Sequence, residues 1–159
     1  MTIFIQTICS FIATIGFAVI FNIHGRNLIF AGIGGGISWF VYSLCLQVNF
    51  SQTTSFFLSA VAFSIYSEIL ARKLKTPVTT LVACALIPLV PGSGMYYTMY
   101  EAVTGNIIHS IELGLNTLSS AGALALGVIF VSTITRQYYI VKNKNYIKRK
   151  LYKKKIEKN

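Results

Sequence analysis

Val78-Thr-Thr-Leu-Val-Ala-Cys-Ala-Leu-Ile-Pro-Leu-Val-Pro-Gly-Ser-Gly94 runs thirteen uncharged residues, Val78 to Val90, into a second proline and two glycines. Thirteen residues are too few for a regular membrane-crossing helix, which takes about 20. Pro88 and Pro91 each lack an N–H, and their rings clash one turn back. Gly92 and Gly94 open conformations that other residues avoid. Backbone left unpaired in hydrocarbon costs several kcal/mol per group, so a break there persists only where it is buried in protein or lines a wet cavity. Secondary transporters build substrate sites from such interrupted helices. A tight turn outside the membrane fits the same letters, so these residues alone leave both readings open.

The composition around the stretch decides the solvent. Of 159 residues, 54% are hydrophobic and 11% charged, where a soluble domain carries roughly a quarter charged. There is no aspartate, and the acids are Glu68, Glu101, Glu112 and Glu157. This is the composition of an integral membrane protein. Arg26, Arg72, Lys73 and Lys75 are the only basic residues before position 136, which leaves ten of the fourteen in residues 136–159. The net charge of +10 is therefore a tail. A Lys-rich tail beside a span marks the cytoplasmic side and rests on anionic lipid, at about 1 kcal/mol per residue. Nothing beyond charge points to nucleic acid, and no such partner is expected.

Cys9, Cys45 and Cys84 lie far apart in apolar stretches and read as small hydrophobes. His24 and His109 are isolated, and without aspartate no Ser/His/Asp set exists. No enzyme, metal site or cofactor is expected. The N-terminus lacks the basic leader of a signal peptide, so the first span is expected to be retained.

The expected fold is an all-α integral membrane protein of about five transmembrane helices. The spans are Thr2 to Phe21, Leu28 to Leu46, about Thr53 to Ala71, the interrupted segment from Val78, and Leu113 to about Thr135. Residues 1–135 form the transmembrane transporter domain and 136–159 a basic cytoplasmic tail. Loops with and without basic residues alternate along the chain, which places the N-terminus outside and the C-terminus in the cytoplasm of a multi-pass cell-membrane protein. Gly32 and Gly36, and again Ala121 and Ala125, have the small-xxx-small spacing that lets helix backbones approach.

Candidate chemistry gathers at a few positions. At the start of a half-helix after the break, the N–H groups of Ser93, Gly94 and Met95 would face an anion, a preference of about 0.3–2 kcal/mol. Tyr96 and Tyr100 share one face of that helix and Tyr97 a neighbouring one, as pathway groups or as an interfacial aromatic belt. Glu68 is the one acid within a clear span. With Arg72 four residues on, it reads either as an ion pair near the surface or as an ion-coupling acid. Asn22 and Arg26 flank the inner end of the first span, where Arg26 attracts an anion or fixes topology. Asn116 and Ser120 line a polar path or bond across helices.

Three segments carry a resemblance: Gly16-Phe-Ala-Val-Ile-Phe-Asn22 with Arg26, Ser67-Glu-Ile-Leu-Ala-Arg72, and Ile87-Pro-Leu-Val-Pro-Gly-Ser-Gly-Met-Tyr-Tyr-Thr-Met99. Together they resemble the threonine/serine exporter family, in the small-subunit type also seen in a two-component succinate exporter. The resemblance covers the chain to about Thr135, and the Pro-x-x-Pro-Gly segment is its specific part. It implies a subunit of a secondary exporter of small carboxylated metabolites, threonine or serine first and succinate-like dicarboxylates second. It also implies a larger membrane partner subunit and puts Pro88, Pro91 and Gly92 near the substrate pathway. Five spans are few to enclose a pathway alone, which also fits self-association. The rival reading is a non-transporting accessory or assembly subunit.

The loop alternation makes the topology testable. On a cysteine-free background, Phe50→Cys should react with an impermeant thiol reagent from outside, and Lys75→Cys only after the inner face is opened. Both reacting from one side would remove the five-span arrangement.

Overall fold

The computed structural model describes residues 2–156, with side-chain surroundings for residues 2–142. The side chains of the tail beyond Lys142, and residues 157–159 altogether, lie outside the described residues. Six helices follow one another, with no strand among the described residues: α1 (Thr2–Ile20), α2 (Arg26–Gln47), α3 (Gln52–Leu74), α4 (Val78–Leu86), α5 (Gly92–Thr104) and α6 (Ile107–Ile156). A 3₁₀ turn, Ile87–Leu89, extends α4 to the break. α1, α2, α3 and the Ile107–Lys142 part of α6 are each long and apolar enough to cross a membrane. α4 with its 3₁₀ turn and α5 form a fifth, broken unit, bent by 51°.

Four helix ends use one device. Asn22, Asn49, Lys75 and Gly105 adopt positive φ, and the following residue donates to the carbonyl five residues back: Ile23 N–H to Ala18 O, Phe50 N–H to Cys45 O, Thr76 N–H to Ala71 O, and Asn106 N–H to Glu101 O. This closure satisfies carbonyls that a helix end otherwise leaves bare. Pro77 then bars α3 from continuing. The fifth span starts at Ile107 rather than Leu113, because Gly105 closes α5 and the Asn106 carbonyl accepts from Ser110 N–H at 3.0 Å to open α6. The stretch from Ser93 to Glu112 is thus two antiparallel helical arms.

α2 and α3 form the middle of the bundle. α1 packs on α2, α6 on α3, α5 on α6, and α4 lies in the crook between α2 and α3. In lipid, helices associate through close packing and hydrogen bonds rather than through hydrophobic drive. Both are visible on α2. A Cβ on Gly35 would fall 1.9 Å from Thr14 Oγ1, and one on Gly32 would fall 2.7 Å from Ile15 Cγ1. At Gly36 a Cβ would make only ordinary contact, so the tight pair is Gly32 and Gly35. The Gly35 carbonyl accepts from Ser10 of α1 at 2.8 Å and from Ser38 at 2.7 Å. The Ser38 carbonyl accepts in turn from Ser59 of α3. Three helices are stitched by hydroxyl groups bonded to backbone oxygen.

Two apolar layers fill the bundle. One joins Ala18 and Ile23 to Ala71, Leu81 and Cys84 at the end that carries Arg26, Arg72, Lys73 and Lys75. The other joins Phe56, Ala60 and Phe63 of α3 to Leu89, Ala123 and Leu124. A Cβ on Gly127 of α6 would lie 2.6 Å from Ala60 Cβ, so α3 and α6 nearly touch there.

Gly35→Ala should therefore lower the thermal unfolding midpoint of the purified protein, at a cost of about 1–3 kcal/mol for overpacking. Gly16→Ala, where a Cβ meets nothing within 4 Å, should leave the midpoint unchanged or raise it.

Candidate functional site

The break is a small polar chamber. Pro91 stands at the N-cap of α5 with ψ 57° and supplies no side-chain cap. Gly92 N–H turns back to Val90 O at 2.7 Å, and Met95 N–H makes the first helical bond, to Pro91 O at 3.1 Å. The N–H groups of Ser93 and Gly94 have no backbone acceptor among the described residues, nor do the carbonyls of Pro88 and Leu89 have a backbone donor. Met95, expected as a third anion donor, is thus already engaged, which narrows the open donors to two.

The residues that carry these groups border a cavity of about 330 Å³. Pro88, Pro91, Ser93, Gly94 and Tyr97 line it from the break, and Asn116, Thr117 and Ser120 from α6. Trp39, Tyr42, Gln52 and Phe56 complete the wall from α2 and α3. No charged side chain lines it. Ser120 donates to Asn116 O at 2.9 Å and Thr117 to Leu113 O at 2.7 Å, so their hydroxyls serve their own helix instead of crossing to another. The indole N–H of Trp39 is buried without a partner. Tyr42 stacks on Phe56 with ring centroids 4.6 Å apart and meets Trp39 at 5.6 Å. Sequence reading did not foresee this aromatic wall, whose only local trace is the three-residue spacing of Trp39 and Tyr42.

Tyr96 and Gly92 do not line the cavity. Tyr96 turns outward and stacks on Tyr100, ring centroids 6.3 Å apart. A Cβ on Gly92 would meet nothing within 4 Å, whereas one on Gly94 would fall 2.4 Å from Thr117 Oγ1. Gly94 is thus the seam between α5 and α6. Gln52, the first residue of α3, borders the cavity, and Thr53 reaches Ser119 at 3.4 Å. The break is level with the start of α3, and α6 continues about a dozen residues past that level with α5 beside it. Ser110 Oγ donates to Thr98 O across this pair at 2.7 Å.

Glu68 and Arg72 lie elsewhere. Their ion pair forms at 2.9 Å, the carboxylate side chain 9% exposed. The Arg72 guanidinium sits 3.5 Å over the Tyr139 ring of α6. Both border a second, larger cavity between α3, α4 and α6. The layer of Phe63, Leu89 and Leu124 separates it from the chamber at the break: Phe56 and Leu89 face the chamber, while Val82 and Val128 pack on the same layer from the larger cavity. Asn22 and Arg26 border neither cavity. Asn22 forms the left-handed closure of α1, and its carbonyl lies 2.9 Å from His24 Nδ1.

A chamber with two open N–H groups at a helix N-terminus, two open carbonyls and no fixed charge can hold a small molecule that carries its own charges. Its shape depends on the seam. Gly94→Ala should destabilise the α5–α6 pair and lower the unfolding midpoint, and Thr117→Ala in the same chain should restore most of the loss. Gly92→Ala should cost nothing measurable. Additive effects of Gly94→Ala and Thr117→Ala in the double variant would contradict the contact.

A family model described as Threonine/Serine exporter, ThrE, matches residues 6–134. No curated protein and no solved structure matches the chain.

Proposed function

The chain belongs to the threonine/serine exporter family, and from that membership we propose that the chamber at the break carries threonine or serine through a multi-pass secondary exporter. The observation that carries this reading is that Ser93 and Gly94, whose N–H groups have no backbone acceptor among the described residues, line a cavity without a charged side chain. A helix N-terminus is equivalent to about half a positive charge, enough to seat one carboxylate. The free carbonyls of Pro88 and Leu89 are acceptors for the ammonium group, as unwound carbonyls are for cations in other transporters. Asn116 and Tyr97 offer polar contacts to the side-chain hydroxyl. A succinate-like dicarboxylate would bring a second negative charge with no cation in the chamber to meet it, and a buried unpaired charge is costly. Threonine and serine therefore come before dicarboxylates.

Glu68 is proposed as the ion-coupling group, with Arg72 holding it while it is charged. It is the one buried acid among the described residues, and it borders a separate cavity from the one at the break. Arg26, exposed at the same end, is proposed to draw anions toward the inner mouth. The basic residues gathered at that end support an inward-facing assignment, with the N-terminus outside and the tail of residues 136–159 on the cytoplasmic leaflet. A larger membrane subunit of the same family, or a second copy, is proposed to cover α5, which buries none of its residues, and the outer face of α6, where Ala121 and Ala125 are exposed.

Proline at the first turn of a helix is tolerated because its missing N–H has no partner there. Ser93→Pro should therefore keep the fold and remove one of the two donors, whereas Ser93→Ala keeps the donor and removes only the hydroxyl. Losing a hydrogen bond to a charged group costs about 1.5–3 kcal/mol, so threonine affinity should fall roughly ten- to a hundredfold in Ser93→Pro and far less in Ser93→Ala. Equal binding in both, measured with any partner present, would make the break a loop and favour an accessory role. Glu68→Gln should retain binding and lose gradient-driven efflux.

A further inference from the structure

The larger cavity, about 850 Å³, has the chemistry of a different ligand. It borders the basic end of the bundle and takes two guanidinium groups, Arg72 from α3 and Arg136 from α6. Arg72 is met by Glu68 at 2.9 Å and lies 3.5 Å over the Tyr139 ring. Arg136 makes no ion pair among the described residues. The site therefore holds one unit of positive charge that no side chain among the described residues answers. The first turn of α4 adds to it. Val78 and Thr79 line the cavity, their N–H groups have no backbone acceptor among the described residues, and Pro77 at the N-cap supplies no side-chain cap. The remaining wall is mainly apolar, Val82, Val128 and Ile140 beside the Tyr139 ring, with Ser132 as the polar exception.

We infer that this cavity binds one acidic phospholipid, its phosphodiester between Arg136, Arg72 and the start of α4, and an acyl chain along Val82 and Val128. The charge decides for a monoanion: one unanswered guanidinium matches one phosphodiester. The walls decide for a lipid over a free anion or an amino acid, since a polar solute gains nothing from a valine and isoleucine surface, whereas each buried methylene of an acyl chain contributes about 0.8 kcal/mol. Basic pockets between membrane helices at the cytoplasmic side are recognised binding places for anionic headgroups. The site is distinct from the chamber at the break, and the inference does not rest on what that chamber carries.

The test uses the purified full chain with defined lipids and native mass spectrometry, counting lipids retained after detergent exchange. The wild type should retain one phosphatidylglycerol in preference to phosphatidylcholine. Arg136→Gln should weaken phosphatidylglycerol retention about tenfold by removing the charge-assisted contact, and Arg136→Lys should recover part of it. Val82→Trp, which fills the aliphatic half without a change of charge, should expel the lipid while Arg136 stays in place. Circular dichroism and the unfolding midpoint separate lost binding from lost fold. Equal retention of the two lipids would overturn the inference. So would retention in Arg136→Gln that matches wild type, or displacement of the lipid by inorganic phosphate or threonine alone.

Discussion

Hydrocarbon offers no partner to a backbone N–H or C=O, and the architecture depends on how each such group is answered. Inside the spans the helices answer most of them. At four helix ends a left-handed residue folds the next N–H back onto an exposed carbonyl. Along the spans, hydroxyls that could disturb the ladder bond to carbonyls four residues back, as Thr7, Thr14, Ser55 and Thr98 do. Ser10, Ser59 and Tyr66 each reach another helix and take a backbone oxygen there as acceptor, whereas Thr53 meets the hydroxyl of Ser119. Against that background, the open groups of Pro88, Leu89, Ser93 and Gly94 stand out, and they lie together beside a cavity.

The two cavities lie on opposite sides of a single apolar layer. Phe63 and Leu89 are almost fully buried in it. Leu89 belongs to both settings: it packs in the layer, and it ends the 3₁₀ turn that borders the chamber. The element that interrupts the fourth span is therefore also the element that seals the chamber from the cavity at the basic end. Glu68 and Arg72 sit beyond that seal, so the ion pair and the chamber are in contact only through packed side chains.

The sequence made the first three spans legible because each is a long uncharged run between short polar loops. It made the break legible because proline cannot hide in a helix. A half-helix after the break was legible from Ser93 on, but the early start of the next helix was not: Glu101, His109 and Glu112 put the fifth span at Leu113, although Gly105 followed by Asn106 is a helix stop and start. Ser93 and Gly94 could be named from local grammar alone. The far walls of the chamber, Trp39, Tyr42 and Gln52, could not, since they come from helices that carry no pattern referring to the break. Arg136 was counted with the tail, because only the continuation of α6 through Thr135 brings it beside Arg72.

The length of α6 has a mechanical consequence. Its membrane-compatible part, Ile107–Lys142, has 36 residues, about 54 Å at 1.5 Å per residue, against a hydrocarbon thickness of about 30 Å. To lie wholly within that thickness the rod would have to lean by roughly 55°, beyond the range of about 0–40° found for spanning helices. Part of it must therefore stand clear of the acyl chains. The free end of the α5–α6 arm is furnished for that position: Asn106 donates to Glu101 at 2.7 Å, and His109 lies 3.6 Å from Glu112. Hydrophobic mismatch thus fixes how far the hairpin rises, and a thinner or thicker bilayer changes the footing of the arm that forms one wall of the chamber.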